Sequence, residues 1–152
     1  MKAFSENVSE QNYFEKVVNK SICLFQFITI LTDSKNNNFW QKFLIHYAIY
    51  LQVSNDLRDV MYKNKTDQKK LRLTLPLIKL KELVDEKMTI KDLQLIFSDD
   101  SLSATAANQF ELLRKSGALE YCHLVQLEYH SISMELLKEE FADTKIVELF
   151  VF

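Results

Sequence analysis

Counting from Gln52, Asn55, Asp56 and Asp59 follow at three, four and seven residues, so on a helix all four share one face. Two carboxylates and an amide one turn apart make a set of oxygen donors. Such donors suit Mg²⁺, which wants octahedral oxygen ligands and often shares them with the phosphates of a substrate. Burying carboxylates is unfavourable unless something pairs with them. The same spacing also suits a helix end that emerges into solvent with Arg58 and Asp59 exposed, and spacing alone leaves both readings open. Lys20 is a second unusual feature. It stands on an apolar face between Val17 and Leu24, where it can hold an anionic group or snorkel its head to water. Lys63, Lys65, Lys69, Lys70 and Arg72 follow the acidic stripe. They can complete a diphosphate clamp or form an ordinary solvated loop.

The elements that would position these groups are helices. Tyr13, Val17, Lys20, Leu24, Phe27 and Leu31 step by three and four, which predicts a first helix. Residues 33–38 read as a polar connector. A second helix is expected from about Phe39 to Met61, with apolar residues around nearly its whole circumference, as in a central helix. The stripe from Gln52 continues a line through Ile45 and Ala48. Lys63 to Lys70 reads as a surface loop, and Leu75-Pro76 restarts a helix that ends near Lys87, since Pro is favoured in a first turn. Thr89 is a plausible cap for the next helix, and residues 98–101 break the chain again. A helix over 102–115 stops at the sole glycine, Gly117. A long helix over 118–141 and a short apolar end over 145–152 complete the chain.

Composition agrees with this pattern. The chain has 152 residues, 47% hydrophobic and 26% charged, with one Gly and one Pro. A β-rich domain of this size needs many more turn residues, so one all-α domain over 1–152 is expected. A net charge of −2 gives no electrostatic case for nucleic acid. The longest apolar run, Ile22 to Leu31, is too short to span a bilayer. Met1 to Glu6 lacks the shape of a signal peptide. Cys23 and Cys122 form no CxxC pair and are too few for a disulfide framework, so a cytoplasmic location is expected. His46, His123 and His130 make no ligand set with them. Asp99-Asp100 reads as a helix boundary, and Trp40 and most Phe residues as core.

The order of these residues resembles the trans-isoprenyl diphosphate synthase (polyprenyl synthetase) family. That family carries in its second half a Tyr, then Lys-Thr followed by Leu-Phe; this chain has Tyr13, then Lys20-Ser21-Ile22-Cys23-Leu24-Phe25. The family then has Phe-Gln-Ile-x-Asp-Asp-x-x-Asp, and residues 51–59 here read Leu-Gln-Val-Ser-Asn-Asp-Leu-Arg-Asp. A basic loop with an Asp and Lys-x-Thr-Leu-Pro follows in the family; here stand Asp67 and Arg72-Leu73-Thr74-Leu75-Pro76. Ser116-Gly117-Ala118, followed by Tyr121, matches a weaker late motif. The resemblance runs from about Tyr13 to Tyr121. The lysine-rich loop and the Asn-Asp-x-x-Asp variant look most like the ComQ-type branch, whose enzymes prenylate a tryptophan of a quorum-sensing pheromone peptide.

The resemblance implies an isoprenoid-synthase-type helical bundle, carboxyl-terminal half only, and a Mg²⁺-dependent prenyltransferase. Its substrate would be an allylic isoprenyl diphosphate, and its acceptor isopentenyl diphosphate or a pheromone peptide. By position, Asn55, Asp56 and Asp59 would serve the metal. Lys20, Lys70 and Arg72 would contact the diphosphate, and Gln52 would line the reacting end of the cavity. Lys20, Gln52 and Asp56 are the residues it places at the chemistry. Two departures stand out. Asn55 replaces the leading aspartate, and an amide oxygen adds no charge to a metal site. The family's first half, with its own Asp-rich motif, has no counterpart here. A fragment, a split gene product or half of a two-chain enzyme is therefore expected, working in a homo- or hetero-oligomer. The alternative is a catalytically incomplete or non-catalytic helical subunit that acts through a partner chain.

Overall fold

A computed structural model describes residues 9–32, 37–61, 74–84 and 110–141. Among them every regular element is helical, and the chain is all-α. The helices are α1 (Glu10–Thr32), α2 (Asn37–Met61), α3 (Leu75–Val84) and α4 (Ala118–Glu140), with a further helical stretch at 110–115. The proposed features at Lys63–Lys70, Arg72, Thr89, 98–101 and 145–152 lie outside the described residues.

Local chemistry explains the helix starts. Ser9 caps α1: its Oγ accepts from Asn12 N–H at 3.2 Å, and Glu10 places a negative charge in the first turn. α2 begins at Asn37, two residues before the expected Phe39. Asn37 and Asn38 read as connector because Asn is poor in helix interiors, yet a first turn tolerates it, since its N–H groups need no intrahelical acceptor. Ser116-Gly117 separates 110–115 from α4. Gly117 takes φ of +81°, a left-handed conformation that glycine adopts without penalty. Ser116 Oγ accepts from Ala118 N–H at 3.4 Å.

The chain divides into two compact units. One comprises Met1–Tyr13 with Val53–Leu124, the other Phe14–Gln52 with Val125–Phe152. The first unit is built on Leu80, Leu113 and Ala118, with Val60, Leu112 and Leu119 packed against them. The second is built on Phe43, Met134 and Leu137, flanked by Phe39, Trp40, Leu44, Tyr47 and Phe141. Its rings meet edge-on as well as stacked: Phe39 and Phe141 at 5.4 Å and 85°, Phe43 and Tyr47 at 5.2 Å and 15°. Trp40 thus serves the core, as its apolar surroundings suggest.

Two expectations about burial need correction. α2 is not enclosed on every side: Phe43, Ile49 and Val53 are buried, while Leu51 is 43% exposed. On α1 the buried line runs Tyr13, Val17, Ser21. Lys20 is exposed, and Leu24 is 63% exposed. The helix face is as the spacing predicts, but neighbouring elements cover it at Tyr13 and Val17 and not at Lys20 and Leu24.

Candidate functional site

The four residues of the stripe receive different surroundings. Gln52 is half-buried, Asn55 and Asp59 are exposed, and Asp56 is only 3% exposed. Sharing a face of α2 does not give them a common fate: of the four, Asp56 alone is buried.

Asp56 meets two donors from distant parts of the chain. Tyr13 donates its hydroxyl to Oδ2 at 2.9 Å, and the backbone N–H of Leu75 donates to the same oxygen at 2.9 Å. The second bond follows from the sequence of α3. Its second residue, Pro76, has no N–H, and the N–H groups of Leu77 and Ile78 both turn back to the carbonyl of Thr74. Leu75 is left with the donor of the first turn that needs an outside acceptor. The Thr74 hydroxyl does not cap the helix; its oxygen is buried without a partner among the described residues. Asp56 thus caps α3 from another helix, and its negative charge sits favourably at a helix N-terminus. The surroundings register that charge. Burial first, and then the Asp56 carboxylate, push the Tyr13 hydroxyl far above the ordinary tyrosine range. The same two causes push the buried Cys122 thiol up to about 12.

A second polar cluster lies in the same unit. Lys79 pairs with Glu10 at 3.4 Å and Glu82 at 2.9 Å, and its ammonium lies 4.0 Å above the Tyr121 ring. Tyr121 donates its hydroxyl to Glu10. Burial opposes the charge of Lys79, but its acidic partners outweigh that and raise its affinity for the proton. This cation is fully engaged in holding α3 to α1 and α4.

Arg58 donates to the Asn55 amide oxygen, and both are exposed. Asp59 makes no hydrogen bond or ion pair with another described residue. Lys20 stands exposed on α1, and Lys70 and Arg72 lie outside the described residues. Among the described residues no group of three or more His, Cys, Asp or Glu is gathered for a metal. His46 and His130 lie instead against Tyr129 and Tyr50. Cys23 is exposed and Cys122 buried, with no disulfide. No described helix is long and apolar enough to cross a membrane.

No family model, no curated protein and no solved structure matches this chain. The likeness to polyprenyl synthases rests on the quoted residues alone. Of those, the structure brings together Tyr13, Asp56 and the Leu75-Pro76 turn, with Cys122, next to Tyr121, close enough to feel the Asp56 charge. The roles of Tyr13 and of the Leu75 N–H were missed by sequence reasoning. The available signal was Pro76 itself, which removes a donor at the second position of α3 and leaves its neighbour seeking an acceptor.

Proposed function

We propose that this chain is the carboxyl-terminal half of an isoprenoid-synthase-type helical bundle. It handles an allylic isoprenyl diphosphate through a Mg²⁺–diphosphate edge at the end of α2. The observation that carries this reading is the meeting of Tyr13, Asp56 and Leu75-Pro76. These come from three separate blocks of the family-like pattern, and they form one hydrogen-bonded centre on Asp56, in the same helical turn as the exposed Asn55 and Asp59.

The donor chemistry fits a partial Mg²⁺ site. Asn55 and Asp59 are exposed oxygen donors one turn apart, and Mg²⁺ is commonly held by one or two protein oxygens, the rest coming from water and substrate phosphates. When bound, the ion would neutralise charge on the departing diphosphate. The protein's part is to present Asp59 and the Asn55 amide, the latter oriented by Arg58. The resemblance assigns the remaining anion contacts to Lys20, Lys70 and Arg72, and the reacting end to Gln52. A partner chain would supply the opposing Asp-rich motif. The acceptor is isopentenyl diphosphate or a peptide side chain, as in the ComQ-type branch.

A second reading is a helical subunit that does not catalyse. Asn55 favours it, since the leading position of the motif carries no charge. The deciding experiment incubates the purified chain with Mg²⁺, an allylic diphosphate and labelled isopentenyl diphosphate, alone and with a candidate first-half chain. A parallel arm offers a tryptophan-containing peptide as acceptor. Transfer of the prenyl group in any arm, lost with Asp59→Asn, supports the proposal. No transfer in any arm refutes it in favour of the second reading.

A further inference from the structure

We infer that the seam between α2 and α4 in the second unit is a pH-sensitive latch, closed while His46 is neutral and loosened when that ring takes up a second proton. Residues 37–52 of α2 and 125–140 of α4 both belong to this unit.

Two histidine–tyrosine contacts cross the seam in opposite senses. His46 of α2 lies against Tyr129 of α4, with ring centroids 5.7 Å apart and planes at 30°. His130 of α4 lies against Tyr50 of α2, at 4.8 Å and 46°. In each histidine one ring nitrogen is buried and has no hydrogen-bond partner among the described residues: Nδ1 of His46 and Nε2 of His130. A neutral imidazole tolerates this, because only one of its nitrogens carries a proton and the buried one can be the bare lone pair. An imidazolium is a donor at both nitrogens. Protonating His46 therefore puts a charged N–H at Nδ1, where nothing accepts it. A buried donor left unmet is unfavourable, and more so when it is charged.

The surroundings offer that cation little. On α2, one turn away, stand buried Phe43 and Ile49, exposed Lys42, which is itself a cation, and Tyr50. On α4, Tyr129 is flanked in sequence by exposed Glu128 and by His130, and Ser133 turns its hydroxyl to the Tyr129 carbonyl at 2.7 Å. α1 contributes Phe14, 5.9 Å from the Tyr129 ring, with exposed Glu15 and Lys16 following it. A tyrosine ring attracts a cation over its face. Here burial prevails and lowers the affinity of His46 for the proton, and no described carboxylate raises it. The unfolded chain thus takes up this proton more readily than the folded one. The stability that neutral His46 provides is fully present above pH 6.5, the ordinary histidine value, and is lost as pH falls towards the lower folded value.

The test uses the full chain, whose sole tryptophan reports on this unit: Trp40 packs on Phe39, Phe43 and Phe141. Urea unfolding is followed by Trp40 emission from about pH 7.5 to about pH 5.5, on either side of the histidine range. The wild-type midpoint should fall towards the acid end. His46→Phe keeps a ring against Tyr129 and cannot titrate; His46→Gln keeps a polar group and cannot titrate either. In each variant the His46 part of the fall should be lost, so its midpoint should drop less than that of wild type. In proton NMR of the folded wild type, the His46 imidazole signal, assigned through the backbone, should titrate with a midpoint below 6.5. Should neither variant fold, that midpoint decides. A His46 midpoint at or above 6.5, or urea midpoints of wild type and variants that fall in parallel, would overturn the latch.

Discussion

Replacing Tyr13 by Phe removes one oxygen and leaves the ring. That oxygen donates at 2.9 Å to Asp56, in a place where both residues are buried. A hydrogen bond to a charged group contributes about 1.5–3 kcal/mol. Phe regains a little through easier burial of its edge, so the lower half of the range is expected. For 152 residues, an unfolding entropy of about 2.1 cal/mol/K per residue makes about 1.5–3 kcal/mol equal to about 5–9 °C in melting temperature. Asp56→Ala should cost more, because it strands the Leu75 N–H as well as the Tyr13 hydroxyl, at about 1–3 kcal/mol for each. The assay is urea unfolding followed by far-ultraviolet circular dichroism on wild type, both single variants and the double variant. Once Asp56 is gone, losing the Tyr13 hydroxyl should cost nothing, so the cycle should show a coupling of about 1–3 kcal/mol. A Tyr13→Phe protein within about 0.5 kcal/mol of wild type, or additive effects of the two substitutions, would refute the buried bond as the tie between α1 and α2.

Three further outcomes follow from the same structure. A thiol reagent should modify Cys23 at once and Cys122 only as the protein opens, and Asp56→Ala should speed the second phase, read as absorbance of the released product against time. Cys122 and Tyr121 bind their protons more tightly in the folded state, at about 12 against ordinary values of 9.0 and 10.0. The stability this provides is fully present below pH 9 and is lost as pH rises from 9 towards 12; urea midpoints measured across that range should fall, and Cys122→Ala should flatten the early part of the fall. Gly117→Ala should cost about 1–2 kcal/mol from its left-handed backbone alone, because a Cβ there meets nothing within 4 Å, and Gly117→Asn should cost less in the same unfolding measurement.

Much of the helical layout was legible in the sequence. One Gly and one Pro leave little room for anything but helices, and both mark real boundaries. Gly117 separates 110–115 from α4, and Pro76 lies in the first turn of α3. The ends of α2 and α4 fall within two residues of where the apolar pattern puts them. Burial was less legible. Periodicity says which residues share a face, not how far along the helix a neighbour covers that face. Lys20 and Leu24 stand on the same side as Tyr13 and Val17, yet they are exposed. The partners of Asp56 lie 43 and 19 residues away in the chain, and no local pattern announces such pairings.

The position of Asn55 bears on how the motif should be weighed. It departs from the family pattern at a place where the side chain is exposed, so the departure does not disturb the fold. Asp56 keeps its carboxylate where Tyr13 and Leu75 require it. Its carboxylate serves the fold, and what it lends the proposed reading is the meeting of three family-like blocks, not a free metal ligand. Asp59 is different. It is exposed, it pairs with no other described residue, and it follows the helix N-terminal half by too far to favour the dipole, which prefers cations at this end. Among the described residues nothing engages it, and it is the carboxylate of this turn that the proposed Mg²⁺–diphosphate contact would use. Of the three residues that resemble a metal motif, Asp59 is thus the one whose substitution separates a prenyl-diphosphate protein from a purely structural helical subunit.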